Sequence, residues 1–327
     1  MTEDRQALKP IRLKHRENIQ KTHQHHKLTL PPGNAGLGAE TVRRLAAHNP
    51  KTIYLCARNP SSAEPLIAEL KTAHPSAAAN ITPIKLDLAS LESTRAAANA
   101  IASQADRLDL LYNNAGIAMT PASVTPDGYE LQFGVNHVGH ALFTQLLMPL
   151  LLKTAAASAS VAPNSVRIVN VSSGAHVSGP SKGLVLADAK TDMAAYHTAT
   201  RYGHSKLANI LFSRKLAELY PSVTSVSLHP GFVNTEINSA KAGGAKYLSM
   251  FVKTIVPWFG KTVEDGAKNQ LWCGVAQEVE SGKYYEPIGV AKPGNKWAQD
   301  ERSKEELWEW TEKELQAHGG VGWPEAK

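Results

Sequence analysis

Cysteine is nearly absent: the 327 residues contain two, Cys56 and Cys273. Two thiols cannot build a disulfide framework, and their scarcity points to a reducing compartment. Each reads as a small buried hydrophobe. Long apolar runs are also missing, and no stretch reads as long enough to span a bilayer, so no transmembrane segment is expected. The first 27 residues have no apolar core of the kind a secretory signal needs, and their Glu3 and Asp4 fit an organelle transit peptide poorly. A cytoplasmic location is the expectation. Aromatic residues make up only 6% of the chain. No basic patch interleaved with aromatics stands in its body, so nucleic acid is not an expected partner. Part of the net charge of +6 comes from those first 27 residues, which carry seven Lys or Arg against three acids. Residues 1–26 therefore read as a disordered, solvated basic tail. The cluster His23, His25 and His26 has no carboxylate or cysteine at a ligand spacing, so no metal is expected.

What is present is an alternation. Apolar runs predict strands at 27–31, 52–58, 80–87, 108–113, 166–172 and 223–229, with a last short one at 283–287. Helical patterns lie between them at 37–48, 62–73, 90–104, 128–153, 196–219 and 262–277. Nearly continuous apolar strands separated by amphipathic helices imply a parallel sheet covered on both faces. The handedness of its crossovers then gives an α/β, doubly wound fold. The stretch 154–165 is a low-complexity surface connection and 178–199 a long insertion. Residues 238–262 are apolar with glycine hinges, which suits either a mobile cover over a pocket or a core-packing helix with a loose lead-in. A short amphipathic helix closes the chain, its tryptophans reading as packing anchors.

In such a sheet, ligands bind beyond the carboxyl ends of the strands. The first strand is followed by Gly33, Asn34, Gly36, Leu37 and Gly38, a glycine-rich turn that by itself is a weak signal. Arg58 follows the second strand, where an acid would suit an unphosphorylated ribose. An arginine there suits a 2′-phosphate, or is simply exposed. Asp87-Leu88 follows the third strand, with a carboxylate able to accept from an adenine amino group. Asn113, Asn114, Ala115 and Gly116 follow the fourth, a small-residue turn that lets backbone approach a ribose. The fifth strand ends in Ser172-Ser173. Downstream, Tyr202 and Lys206 stand four residues apart on one helix face. An ammonium beside a phenol favours the phenolate, which lowers its pKa and makes it a usable proton donor or acceptor.

The stretches NNAG (113–116), GVNHVGHALFTQLLMPLL (134–151), RIVNVSS (167–173), YGHSKLANILF (202–212) and HPGFVNTEI (229–237) make the chain resemble the short-chain dehydrogenase/reductase superfamily over roughly 27–290. It looks most like the branch with retinol dehydrogenases and many fungal oxidoreductases. The resemblance implies a Rossmann-like single domain over 27–290 and a C-terminal helical extension over 291–327. It implies that Tyr202 is the general acid/base and also a cofactor-binding residue, that Lys206 binds the nicotinamide ribose, that Ser173 orients the carbonyl, and that Asn136 holds a proton-relaying water. It places Pro230, Gly231, Val233 and Thr235 against the nicotinamide. It implies NADP(H) through Arg58, with NAD(H) as the alternative, and an apolar carbonyl or alcohol as substrate. It further implies a homodimer paired through the helices bearing NHVGH and YGHSK.

The chain departs from the family pattern at the first turn. Where the family has Thr-Gly-x-x-x-Gly-x-Gly, this chain has Pro31 and Pro32 in place of the Thr and the first Gly. Proline fixes φ and removes an N–H, so two features of the turn are forbidden, while the helix N-terminus behind it keeps its dipole. The strand before it is atypical, short and polar, which points to an altered 5′ coding region for residues 1–32. A catalytically impaired, cofactor-binding pseudoenzyme or interaction module is therefore the alternative to an enzyme.

Overall fold

The computed structural model describes residues 27–30, 35–78, 80–160, 162, 164–231 and 262–325. The expectations that fall on the basic tail, on Pro31, Pro32, Gly33 and Asn34, on Val233 and Thr235, and on 238–261 lie outside the described residues. Strands β1 (Lys27–Leu30), β2 (Thr52–Ala57), β3 (Ile81–Lys85), β4 (Leu110–Asn113), β5 (Arg167–Val171), β6 (Thr224–Leu228), β7 (Tyr284–Glu286) and β8 (Val290–Lys292) form one sheet. The main helices are α1 (Gly36–Ala46), α2 (Glu64–Ala73), α3 (Leu91–Gln104), α4 (Gly139–Ser158), α5 (Thr198–Leu219), α6 (Val263–Val275) and α7 (Glu301–Ala317).

The strand order is β3-β2-β1-β4-β5-β6-β7-β8. All neighbours are parallel except β7 and β8. The order reverses direction between β1 and β4, the switch point at which a doubly wound sheet opens a crevice for ligands. β4, β5 and β6 are buried along their whole length, as strands covered on both faces must be. Two apolar clusters fill the two sides. One gathers α3, α4, α5 and α7, and the other gathers α1, α2 and α6. The sequence missed β8. It is short and wholly exposed, and it crosses the 290/291 boundary by pairing Tyr285 with Ala291.

Helical stretch Leu131–Ser158 is long and apolar enough to cross a membrane by length and composition, against the sequence reading. Here 61% of that apolar window is buried inside the fold, as in a core helix. The C-terminal helix α7 packs on α5. Phe212 stacks on Trp308 at 6.0 Å, and Lys215 pairs with Glu305 at 2.7 Å. α7 also reaches the turn before α4, where Thr311 hydrogen-bonds His137 at 2.9 Å. Two chains pairing through α5 would have to use what α7 leaves open.

Gly139 opens α4 against the loop after β3. A Cβ there would stand 2.5 Å from the Leu88 carbonyl oxygen, a backbone atom that cannot swing away. Gly139→Ala is expected to cost ~1–3 kcal/mol of stability. The backbone it would displace is that of Asp87-Leu88. Thermal unfolding checks the loss.

Candidate active site

The strand ends converge. Asn136 sits in a single π-helical turn, Gly134–Val138, just before α4. Such turns are rare and concentrate at functional sites. Its side chain is held on both sides: Oδ1 accepts from the Ile117 N–H at 2.8 Å, and Nδ2 donates to the Ile117 carbonyl at 3.0 Å and to Ser205 Oγ at 2.9 Å. Ser205 in turn donates to the Tyr202 carbonyl at 2.8 Å. Sequence reasoning missed Ser205, although it lies inside the YGHSK stretch.

Lys206 is 2% exposed. Its ammonium donates to the Val171 carbonyl at 2.9 Å and lies 5.6 Å from the centre of the Tyr202 ring. The end of β5 grips α5 at two more points. Ser172 Oγ donates to the Lys206 carbonyl at 2.7 Å, and Asn209 Nδ2 donates to the Val171 carbonyl at 3.1 Å. Ser172, the first serine of the pair, therefore anchors the helix, while Ser173, the second, faces Tyr202. Ser173 Oγ accepts from the Ala175 N–H at 3.1 Å, which leaves its own proton to be donated. Gly116 closes the group. A Cβ there would come within 3.3 Å of both Asn136 Oδ1 and Lys206 Nζ, so any larger residue would have to push these two side chains aside by a few tenths of an ångström.

The electrostatics differ from the sequence expectation. Burial pushes the Tyr202 phenol above its ordinary range, and the Ser173 hydrogen bond acts against that shift. Burial also drives the Lys206 amine down, to about 7. Desolvation thus outweighs the lowering of Tyr202 that a neighbouring ammonium was expected to give, because both groups sit where charge is poorly solvated. At pH 7 the phenol holds its proton. His137, His140 and His204 lie around the same helices. Each is pushed by burial to about 3, so all are neutral. His140 hydrogen-bonds the Ala115 carbonyl at 3.1 Å and braces the NNAG turn.

The remaining sequence-predicted residues that are described stand at or just beyond the carboxyl ends of the strands. Gly36, Leu37 and Gly38 open α1. Its N-cap, Ala35, makes no side-chain cap, and no acid stands in the first turn. By contrast, α3, α6 and α7 are capped by their own Ser90, Thr262 and Asp300. A helix N-terminus at the switch point without a side-chain cap or an acid suits an anion, so the chemistry of these residues fits a dinucleotide pyrophosphate. Arg58 is exposed just beyond β2. Asp87 Oδ1 accepts from the Ala89 N–H at 3.0 Å, and Leu88 is buried. Asn114 Oδ1 accepts from Gln270 of α6 at 2.9 Å, a contact with no sequence signal because 156 residues separate the partners. Pro230 and Gly231 follow β6 on the same side of the sheet. No cluster of metal-ligating side chains occurs among the described residues.

A cavity of about 590 Å³ lies elsewhere, at the β7–β8 edge, and none of these residues lines it. Its Lys304 and Arg214 are already matched by Glu218 and Glu301. The site therefore follows the strand-end chemistry and not this cavity.

Comparison with known proteins agrees with that geometry. The sequence profile described as short chain dehydrogenase matches residues 32–244. Retinol dehydrogenase 12 of Mus musculus is 35% identical over 279 residues, covering 84% of this chain and 81% of that protein. The short-chain dehydrogenase/reductase drtF of Aspergillus calidoustus is 34% identical over 297 residues, covering 86% and 91%. The crystal structure of NADPH-bound carbonyl reductase from chicken fatty liver shares the fold with a TM-score of 0.59 at 24% identity, covering 83% of this chain and 99% of that one. The chain is thus a member of the short-chain dehydrogenase/reductase superfamily, in its retinol-dehydrogenase-like branch.

Proposed function

We propose that this oxidoreductase interconverts a carbonyl and a primary or secondary alcohol on an apolar small molecule, with NADP(H) as cofactor and Tyr202 as general acid/base. The observation that carries this reading is the convergence of Tyr202, Ser173, Lys206 and Asn136 beside the NNAG turn. The cofactor, when bound, supplies or accepts the hydride. The α1 N-terminus would hold its pyrophosphate, Arg58 its 2′-phosphate, Asp87 and Leu88 its adenine, and Lys206 its nicotinamide ribose.

In the reducing direction Ser173 donates a hydrogen bond to the substrate carbonyl oxygen and fixes its position. Tyr202 gives that oxygen its proton as charge develops there. Lys206 stabilises the phenolate that remains, and its low pKa lets it pass a proton back to Tyr202 near neutrality. Asn136 and Ser205 keep the Tyr202 backbone in place. In the oxidising direction the same phenolate accepts the alcohol proton. Both free cysteines are buried thiols, which supports the cytoplasm as the compartment.

An NADPH titration followed by a carbonyl panel tests the proposal. Binding with turnover supports it, and no binding at millimolar NADPH sinks it. Arg58→Ala is expected to weaken NADPH about tenfold, about 1.4 kcal/mol, and to leave NADH almost unchanged; equal losses for both would remove Arg58 from the phosphate site.

The competing reading, an impaired cofactor-binding module, is favoured by Pro31 and Pro32. Their strain is expected to cost ~1–3 kcal/mol, about one to two decades of affinity. A Pro31→Thr, Pro32→Gly double variant should therefore bind NADPH ~10–100-fold more tightly by fluorescence. An unchanged Kd would show that the loop already presents its N–H groups.

A further inference from the structure

We infer that His176 is a positioning residue for the reaction: it fastens the Ser173 backbone to the C-terminal segment at Asn295 and so fixes the direction in which the Ser173 hydroxyl donates. Only the kinetic readout of this inference rests on the proposed reductase chemistry.

His176 lies in the 3-10 turn Gly174–Ser178, directly after Ser173, and is 2% exposed. Both of its ring nitrogens are used. Nδ1 is 2.8 Å from the Ser173 carbonyl oxygen, which can only accept, so Nδ1 carries the proton. Nε2 accepts from the Asn295 N–H at 3.0 Å, which can only donate. The partners therefore impose one neutral tautomer, and burial favours the same uncharged ring. Asn295 answers in return. Its Nδ2 donates to the His176 carbonyl at 3.3 Å, and its Oδ1 accepts from the Ala298 N–H at 2.9 Å. The imidazole edge also meets Tyr284 of β7 at 5.2 Å.

The contact thus joins residues 119 apart in sequence, and it does not stand alone. The same C-terminal segment holds the insertion after Ser173 at two further places. Trp297 Nε1 donates to the Ser181 carbonyl at 3.2 Å, and Glu314 pairs with Lys190 at 2.8 Å.

The consequence falls on Ser173. Its hydroxyl oxygen is engaged by the Ala175 N–H, and its carbonyl is engaged by His176. With both ends held, the hydroxyl stays beside Tyr202, where its proton can turn to a substrate carbonyl oxygen. The His176 backbone N–H also donates to that carbonyl, at 3.1 Å, so losing the ring bond loosens the Ser173 backbone without freeing it, and a misplacement of about 1 Å at a reacting group is worth up to ~10²-fold in rate.

The test uses three variants and one spectrum. His176→Phe keeps the ring against Tyr284 and removes both hydrogen bonds. His176→Asn places an amide donor where Nδ1 stood. His176→Gln places an acceptor near Nε2 and no donor at the Nδ1 position. The Phe and Gln variants are expected to lose roughly 10–100-fold in kcat with the KM for NADPH unchanged, and Asn to recover at least about tenfold over Phe. Equal losses in Phe and Asn, or a loss confined to the KM for NADPH, overturn the inference. The ring nitrogen chemical shifts of ¹⁵N-histidine in the wild-type protein decide it without activity or variants. The Nδ1–H tautomer at pH 7 is expected, and Nε2–H or imidazolium overturns it. A wild-type protein that binds NADPH but reduces nothing counts against the proposed function and leaves that spectrum to judge the latch.

Discussion

Tyr202→Phe is expected to lower carbonyl reduction by ~10²–10⁴-fold, the range a positioned general acid contributes. Phenylalanine keeps the ring beside Lys206 and removes only the atom that carries the proton. The NADPH Kd should stay within about threefold, since the groups proposed to hold the phosphates and adenine are untouched and only the Tyr202 hydroxyl is lost. The wild-type pH profile carries the same logic. Burial raises the Tyr202 pKa, so the phenol is protonated at neutral pH and reduction is expected to be favoured there. Oxidation needs the phenolate, so its rate is expected to climb as pH rises through the alkaline range. Lys206, held down to about 7, loses its charge over the same climb and weakens that help. Steady-state assays in both directions at several pH values, on wild type and variant, check both points. Turnover retained in the phenylalanine variant would remove Tyr202 from the chemistry.

The second large effect is on stability. Glu130 and Arg201 form an ion pair at 3.1 Å with side chains 0% and 4% exposed. Glu130 also accepts from the Phe133 N–H at 2.7 Å, and Arg201 donates to the Thr120 carbonyl at 3.0 Å. The pair pins the residue before Tyr202 to the start of the helical turn that leads to Asn136. Glu130→Ala strands a buried guanidinium and is expected to cost about 3–5 kcal/mol in denaturant unfolding. The pair itself is a costly way to hold two elements together. Burial raises the Glu130 carboxyl even against Arg201 and the backbone N–H groups of Phe133 and Gln132, so ionising it inside the fold is unfavourable. A Glu130→Met, Arg201→Leu double variant should therefore recover most of the stability that the single change loses. Additive losses in the double variant would contradict this account.

Several of these features could be read from the chain alone. Strands β2, β4 and β5 announced themselves because a strand buried on both faces is mostly apolar, whereas β6 is buried although Thr224, Ser225 and Ser227 are polar. β8 gave no signal, because three exposed residues carry neither periodicity nor burial. The GVNHVGH stretch marked Asn136 but not the π turn that aims it inward. Inside that turn the Asn136 side chain is held by Ile117 and Ser205, which are remote in sequence.

The sequence by itself determined the fold class and the residue types at each strand end, which follow from composition, period and spacing, and it marked the family through the resemblance of stretches such as NNAG and YGHSKLANILF. The tertiary structure alone decided which serine faces Tyr202 and which anchors α5, that α7 covers α5, and that His176 meets Asn295. It also decided the direction in which Tyr202 titrates. Spacing on a helix shows that an ammonium is near a phenol. Only the packing around them shows how little water either one keeps, and here that desolvation is the larger effect.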